Sequence, residues 1–129
     1  MRCKRVVIAD QHPAMLEGMR RMLATETESV LMVSDEASLL QAVDAAAPDL
    51  VIVDLSLPVS GAGNVVRLLK QRYWDTPIIV VSVHDDPAAA GEAAAAGAEG
   101  FVLKQRVVVD LIPAVREVCE GRRYCSMNG

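Results

Sequence analysis

Four short apolar segments, each followed by a polar residue, constrain the fold of this chain more than any other feature. They cover residues 5–9, 50–53, 77–81 and 101–103, and they end at Asp10, Asp54, Ser82 and Lys104. None alternates polar and apolar residues, which is typical of parallel strands that are covered on both faces. If they are parallel strands, two carboxylates, a hydroxyl and an ammonium meet at the carboxyl edge of the sheet, where open α/β sheets bind ligands.

Helical patterns separate these segments. A helix opened by Pro13 repeats apolar residues at three- and four-residue spacing. A second strand is predicted over residues 30–33, and Ser38 is the predicted N-cap of the helix that follows it. Asp86 followed by Pro87 predicts the start of another helix. Five βα units joined by right-handed crossovers predict an α/β three-layer sandwich. The flavodoxin-like (βα)5 arrangement, a parallel sheet with strand order 2-1-3-4-5, is one of two common solutions.

Length and composition exclude several classes of protein. The 129 residues fit one domain, and an apolar content of 52% supplies a full core. A formal net charge of -4 argues against nucleic acid as a direct partner of this domain. No apolar segment approaches the roughly 20 residues of a membrane span, and the first segment is too short for a signal-peptide core. We therefore expect a cytoplasmic protein that does not contact the membrane.

The cysteines and histidines suggest little chemistry by themselves. Cys3, Cys119 and Cys125 are an odd number without metal-binding spacing. Reduced thiols are expected, as in most cytoplasmic proteins, and although a Cys119–Cys125 disulfide is possible, nothing in the sequence favours it. His12 and His84 have no partner at ligand spacing, so they are interpreted as loop residues near the pocket.

One predicted helix is unusual because residues 88–97 are almost all Ala and Gly. Alanine favours helix, but Gly91 in its middle costs about 1 kcal/mol. Two interpretations remain open. The segment is either a thin helix packed closely on the sheet or a mobile element on a switching face.

Four motifs, in order and at the strand ends, resemble the receiver domain of bacterial two-component response regulators. They occupy residues 9–13, 53–58, 81–86 and 97–104, and the resemblance extends from Arg5 to Tyr124. The sequences around His12 and His84 and the closing residues 121–124 are most similar to the NarL/LuxR-type subfamily. The resemblance implies a receiver domain over residues 1–124. Residues 125–129 would then begin a linker or tail, with the helix-turn-helix output domain absent from this chain.

The resemblance also assigns roles to individual residues. Asp54 matches the phosphoacceptor, Lys104 the lysine that neutralises a phosphoryl oxygen, and Ser82 the switch hydroxyl. Asp10, Asp54 and the backbone carbonyl of Ser56 match the Mg²⁺ ligands, and this oxygen-rich set suits an ion that keeps several waters. Taken alone, Asp10 would be interpreted as a helix cap, Ser82 as a loop residue and Lys104 as a solvated lysine.

Two positions depart from the family pattern. Gln11 stands where the family usually has a second acid, so it offers a carbonyl oxygen without charge, and we expect Mg²⁺ binding there to be weakened or lost. Phe101 stands at the aromatic switch position, often Tyr, and it lacks the hydroxyl that would form a hydrogen bond. Phe101 is therefore either a switch residue or an ordinary core residue.

Three functions from different classes compete. The first is a switch that a sensor histidine kinase phosphorylates on Asp54. The phosphorylated domain would dimerise through its last two helices, and it would contact DNA only through the absent domain. Such a domain catalyses its own phosphotransfer and is not otherwise an enzyme. The second is a phosphorylation-independent module for dimerisation or interaction, which Gln11 favours. The third is a flavodoxin-type electron carrier, disfavoured because the first strand lacks a Ser/Thr-rich phosphate loop and four aromatic residues are too few to stack a flavin.

Overall fold

The computed structural model describes residues 3–126, which form one parallel six-stranded sheet flanked by five α-helices. The strands are β1 Arg5–Ala9, β2 Ser29–Val33, β3 Leu50–Asp54, β4 Ile78–Ser82, β5 Gly100–Leu103 and β6 Tyr124–Cys125. The helices are α1 Pro13–Ala24, α2 Glu36–Ala46, α3 Val65–Arg72, α4 Pro87–Ala96 and α5 Val107–Cys119, with a 3-10 turn at Lys104–Arg106. Strand order is β2-β1-β3-β4-β5-β6, and every neighbouring pair is parallel.

The sheet separates two apolar cores. Side chains of β1, β3, β4 and β5 alternate between the two faces, as the two-residue period of a strand requires. One core packs Val7, Val51 and Val80 against α2, α3 and α4. The other packs Ile8 and Ile52 against α1 and α5. The predicted three-layer sandwich and the order of its first five strands are confirmed.

The short strand β6 is an addition to the predicted order. Tyr124 pairs with Gly100 and Cys125 pairs with Phe101 at the edge of β5. The last helix ends at Cys119. Gly121, with φ of 84°, then turns the chain back toward the sheet. The domain boundary at Tyr124 stays a prediction.

The sequence-based expectation for the cysteines is wrong. Cys3 and Cys119 form a disulfide with a Cα–Cα distance of 5.7 Å, and Cys125 is the free cysteine. Cys3 precedes β1, and Cys119 ends the helix that covers the same face of the sheet, so both belong to one core. The fold thus brings together two residues that are 116 positions apart.

Local helix signals explain how α2 and α4 begin. The predicted Ser38 cap is wrong because Asp35 is the N-cap of α2, and its carboxylate accepts the Ser38 backbone N–H at 2.8 Å. Asp86 caps α4 as predicted, accepting the Ala89 N–H at 2.9 Å. Ala89 and other small residues of α4 are buried against the sheet, which fits the thin, closely packed helix.

Candidate functional site

The parallel register brings the predicted site residues to one edge of the sheet. Ala9 pairs with Val53, so Asp10 and Asp54 end neighbouring strands. Asp54 itself pairs with Val81, and Lys104 follows β5 directly. Asp10, Asp54 and Lys104 are all buried although each carries a charge. Burying three charged groups is costly unless they are paired, so their arrangement identifies the candidate site.

The ammonium of Lys104 lies where the other charged groups converge. Its Nζ is 2.7 Å from Asp10 Oδ2, 2.9 Å from Asp54 Oδ2 and 3.3 Å from His12 Nδ1. The contact with Asp54 is a hydrogen bond, whereas Asp10 Oδ2 is a buried oxygen without a hydrogen-bond partner among residues 3–126. The contact with Asp10 is therefore an ion pair without directed hydrogen-bond geometry. Two carboxylates share one ammonium.

Burial and hydrogen bonding have opposing effects on the pKa values of Asp54 and Lys104. Burial alone would raise the pKa of Asp54. Hydrogen bonds from the Ser56 backbone, from Lys104 and from the Ser56 hydroxyl outweigh it, so the pKa lies below its ordinary value. Burial likewise favours a lower pKa for Lys104, but Asp10 and Asp54 more than offset it and the pKa is raised. Asp54 is therefore a carboxylate held beside a fixed cation.

His12 belongs to the site, contrary to the expectation that it has no partner at ligand spacing. Its Nδ1 lies 2.9 Å from Asp10 Oδ1, and its backbone N–H donates to the same oxygen at 2.9 Å. One ligand atom each from Asp10, His12 and Asp54 lie within 4.8 Å of one another. The sequence did contain a pattern that could have indicated this contact, because Asp10 and His12 are two residues apart directly after the first strand.

Ser82 ends β4, and Phe101 lies in the neighbouring strand β5. The Ser82 hydroxyl is buried and accepts the His84 backbone N–H at 3.0 Å, which leaves its own proton available for donation. Phe101 is buried in the core beside α4. Its carbonyl accepts the Ser126 backbone N–H at 2.9 Å. Phe101 is therefore a core residue in contact with β6, and a switching role stays a prediction.

The donor set fits a divalent cation held by oxygen ligands. Asp10 and Asp54 supply buried carboxylates, and Asp10 Oδ2 has unused acceptor capacity. The backbone N–H and the hydroxyl of Ser56 both donate to Asp54 Oδ1 at 2.9 Å, which fixes the start of the loop expected to contribute the Ser56 carbonyl. Gln11 is exposed, and none of the hydrogen bonds described for residues 3–126 joins it to the site.

A third buried carboxylate, Asp110 of α5, was not found from the sequence. It accepts Arg106 Nε at 2.8 Å, the Tyr124 hydroxyl at 2.8 Å and the Ser126 hydroxyl at 2.7 Å. Burial alone would raise the pKa of Asp110, but these three donors lower it. The network fastens β6 to α5, and its partners are too far apart along the chain to form a recognisable motif.

Comparison with known proteins places the chain in a family. Residues 6–116 match the response regulator receiver domain. The chain therefore belongs to the response regulator receiver domain family, and its relatives are NarL/LuxR-family response regulators.

Curated relatives match nearly the whole chain in sequence. The transcriptional regulatory protein DegU of Brevibacillus brevis is 33% identical over 92% of this chain and 51% of its own length. The DNA-binding transcriptional activator EvgA of Escherichia coli is 31% identical over 92% of this chain and 58% of its own. The chain spans about half the length of these curated relatives.

A solved structure agrees with the fold in detail. The isolated REC domain of RcsB from Salmonella enterica serovar Typhimurium, solved with the phosphomimetic BeF3-, has a TM-score of 0.84 and 28% identity. The match covers 95% of this chain and 92% of that one. Within the part of the chain that the structure describes, no helix is long and apolar enough to cross a membrane.

Proposed function

We propose that this receiver domain is a phosphoacceptor switch of a two-component system, phosphorylated on Asp54 by a sensor histidine kinase. The observation that carries the proposal is the contact of the buried Asp54 carboxylate with Lys104 at 2.9 Å. A carboxylate is repelled by a phosphoryl group, so the reaction needs cationic groups fixed around the transferring atoms. Lys104 supplies one such group at the carboxyl edge of the sheet.

Each residue of the site would have a separate role in phosphotransfer. A carboxylate oxygen of Asp54 forms a bond to phosphorus, the bond between phosphorus and the donor breaks, and the donor leaves with that electron pair. Lys104 Nζ, already 2.9 Å from Asp54 Oδ2, neutralises a phosphoryl oxygen. Asp10, Asp54 and the Ser56 carbonyl would hold Mg²⁺, which supplies further charge neutralisation when bound.

The switch would act through Ser82 and Phe101. The Ser82 hydroxyl has a proton to donate to a phosphoryl oxygen, and moving it toward Asp54 changes its contact with the His84 N–H. Phe101, next to the small residues of α4, would follow, and its backbone is joined to β6 through Ser126. A charge added at Asp54 would thus re-order the loops that carry these residues.

The exposed surface of the last helices would transmit the signal. Val108 is 81% exposed and Val109 is 61% exposed at the start of α5. Neighbouring apolar side chains in solvent are a feature of interaction surfaces, so we place homodimerisation there. DNA would be contacted only through an output domain outside this sequence, with transcription as the regulated process, as in EvgA, a DNA-binding transcriptional activator. A cytoplasmic location is part of this proposal, as is autocatalysed phosphotransfer without other enzyme activity.

Intact-mass analysis after incubation with a small acyl-phosphate donor and Mg²⁺ tests the proposal. The wild-type chain should gain one phosphoryl group, and Asp54→Asn should gain none. Asp85→Asn is the matched control because Asp85 is an exposed loop aspartate, and it should react like the wild type. A wild type that gains no group, or an adduct that persists in Asp54→Asn, would contradict the assignment.

Gln11 favours a second candidate function, a constitutive interaction module that works without phosphorylation. The exposed amide brings no negative charge to the site, so only Asp10 and Asp54 remain as carboxylates there. This candidate predicts the same oligomeric state before and after the phosphodonor, measured by light scattering. A metal affinity that is unchanged by Gln11→Asp would remove its physical basis.

A further inference from the structure

We propose that His12 is a nitrogen ligand of the cation site, and that it gives this site a preference for first-row transition ions over Mg²⁺. The inference rests on the proposed function, because it concerns the ion that assists chemistry at Asp54. It departs from an all-oxygen site in one respect. The third protein side chain would be an imidazole instead of the exposed Gln11.

The distance between His12 and Asp10 fits two ligands of one ion. His12 Nδ1 and Asp10 Oδ1 are 2.9 Å apart. Two ligands at roughly 2.1 Å from an octahedral ion and at right angles to one another are about 3 Å apart. The two atoms are joined by a hydrogen bond, and their spacing is also that of one edge of a coordination octahedron, so an ion would take the place of the Nδ1 proton while the neutral imidazole carries its proton on Nε2.

The third ligand is placed by the neighbouring strand. Atoms of Asp10, His12 and Asp54 lie mutually within 4.8 Å. Lys104 Nζ lies within 3.3 Å of all three residues, so the ammonium marks the point on which they converge. A divalent cation entering there would replace the ammonium, which would then be released toward a phosphoryl oxygen.

The second carboxylate oxygen of Asp10 is held by charge and not by a directed hydrogen bond. Asp10 is completely buried, and its Oδ2 has no hydrogen-bond partner among residues 3–126. The Lys104 ammonium, 2.7 Å away, compensates the burial of this oxygen by its charge, so the oxygen needs another cationic partner whenever the ammonium moves away. A cation that replaces the ammonium would take over the charge compensation of Oδ2, while Oδ1, which also accepts the His12 backbone N–H, is the oxygen beside His12 Nδ1.

The identity of the ligands decides which ions are preferred. Carboxylate, carbonyl and water ligands suit Mg²⁺, whereas imidazole suits later first-row ions such as Co²⁺ and Ni²⁺. Gln11 is exposed and contributes no charge, so Mg²⁺ loses a carboxylate that it would favour. His12 contributes a nitrogen donor, so Co²⁺ gains a ligand that Mg²⁺ uses poorly. Both changes move the preference in the same direction.

Direct binding of Co²⁺ and Mg²⁺, measured by titration calorimetry without a phosphodonor, tests the inference. The wild type should bind Co²⁺ at least tenfold more tightly than Mg²⁺. His12→Asn should lose at least tenfold in Co²⁺ affinity, because even the loss of a group that only supports a ligand typically costs about 10–100-fold, with less than a twofold change for Mg²⁺. The visible absorption of bound Co²⁺ should change in His12→Asn and disappear in Asp54→Asn, which shows that the signal arises at this site.

The other histidine of the chain provides the matched control. His84 also lies in a loop at this edge of the sheet, but it is outside the ligand group, so His84→Asn should bind both ions like the wild type. An unchanged ratio of Co²⁺ to Mg²⁺ affinity in His12→Asn, an equal loss for both ions, or no cation binding by the wild type would each overturn the inference. The phosphoryl adduct on Asp54 is scored separately by mass, so failure here is distinguishable from failure of the switch itself.

Discussion

Removing the ammonium of Lys104 should destabilise the protein in a way that depends on pH. At an effective dielectric constant near 20, contacts of 2.7 and 2.9 Å correspond to gross attractions of about 6 kcal/mol each. The desolvation of Lys104 offsets most of this sum. Breaking a buried ion pair by removing one partner typically costs about 3–5 kcal/mol, and we expect Lys104→Met to lower the free energy of unfolding by that amount at pH 7.

The sign of the pH dependence follows from the pKa of Asp54. In the wild type this pKa is lowered, so the stabilisation is present above the unfolded value and is lost as pH falls through the folded value. Without Lys104, the hydrogen bond and the charge of its ammonium no longer lower the pKa of Asp54, so the folded pKa is higher than in the wild type. The variant should therefore lose less stability than the wild type as pH falls from 7, and the difference between the two should narrow toward acid.

Urea unfolding followed by circular dichroism measures this effect. Lys4→Met is the matched control because the Lys4 side chain is 67% exposed and its ion pair is 3.9 Å long. It should change stability by less than about 0.5 kcal/mol. Adding Asp54→Asn to Lys104→Met should recover much of the loss, because it removes one of the two unpaired carboxylates. A Lys104→Met variant within 1 kcal/mol of the wild type at pH 7 would refute the reasoning.

Three further predictions concern the rest of the fold. Cys119→Ser should lower the free energy of unfolding by up to about 5 kcal/mol, because chain entropy increases with the 116-residue separation of the bonded cysteines; urea curves with and without reductant check this. Asp110→Asn should loosen β6, because Asp110 accepts hydrogen bonds from the hydroxyls of Tyr124 in β6 and of Ser126 just after it; faster alkylation of the Cys125 thiol at unchanged secondary structure would show this. Gly100→Ala should cost about 1–3 kcal/mol in thermal unfolding, because its Cβ would lie 2.9 Å from Ile79 Cγ1; an unchanged midpoint would contradict it.

The sheet and its site were predictable because their signals are local. Uninterrupted apolar segments specify buried parallel strands, and a polar residue at the end of each strand necessarily lies at the carboxyl edge. Asp10, Asp54 and Lys104 therefore meet as expected. Their separation along the chain does not matter, because the crossovers fix the strand order.

The features that the sequence did not reveal depend on contacts between distant elements. Cys3 pairs with Cys119 only because α5 covers the face next to β1. Two-residue β6 is too short to give a periodic signal, and its position depends on the buried Asp110. His12 lies close along the chain to Asp10, but the orientation of its ring toward the carboxylate is set by the turn into α1.

The disulfide has a topological consequence for proteolysis. Joining Cys3 to Cys119 closes residues 3–119 into a covalent ring that contains α1 to α5 and the first five strands. A single cleavage in any loop of that ring leaves two fragments tied together, which migrate as one species on a denaturing gel until reductant is added. A cut between Cys119 and Tyr124, by contrast, releases β6 and with it the strand that pairs with Phe101.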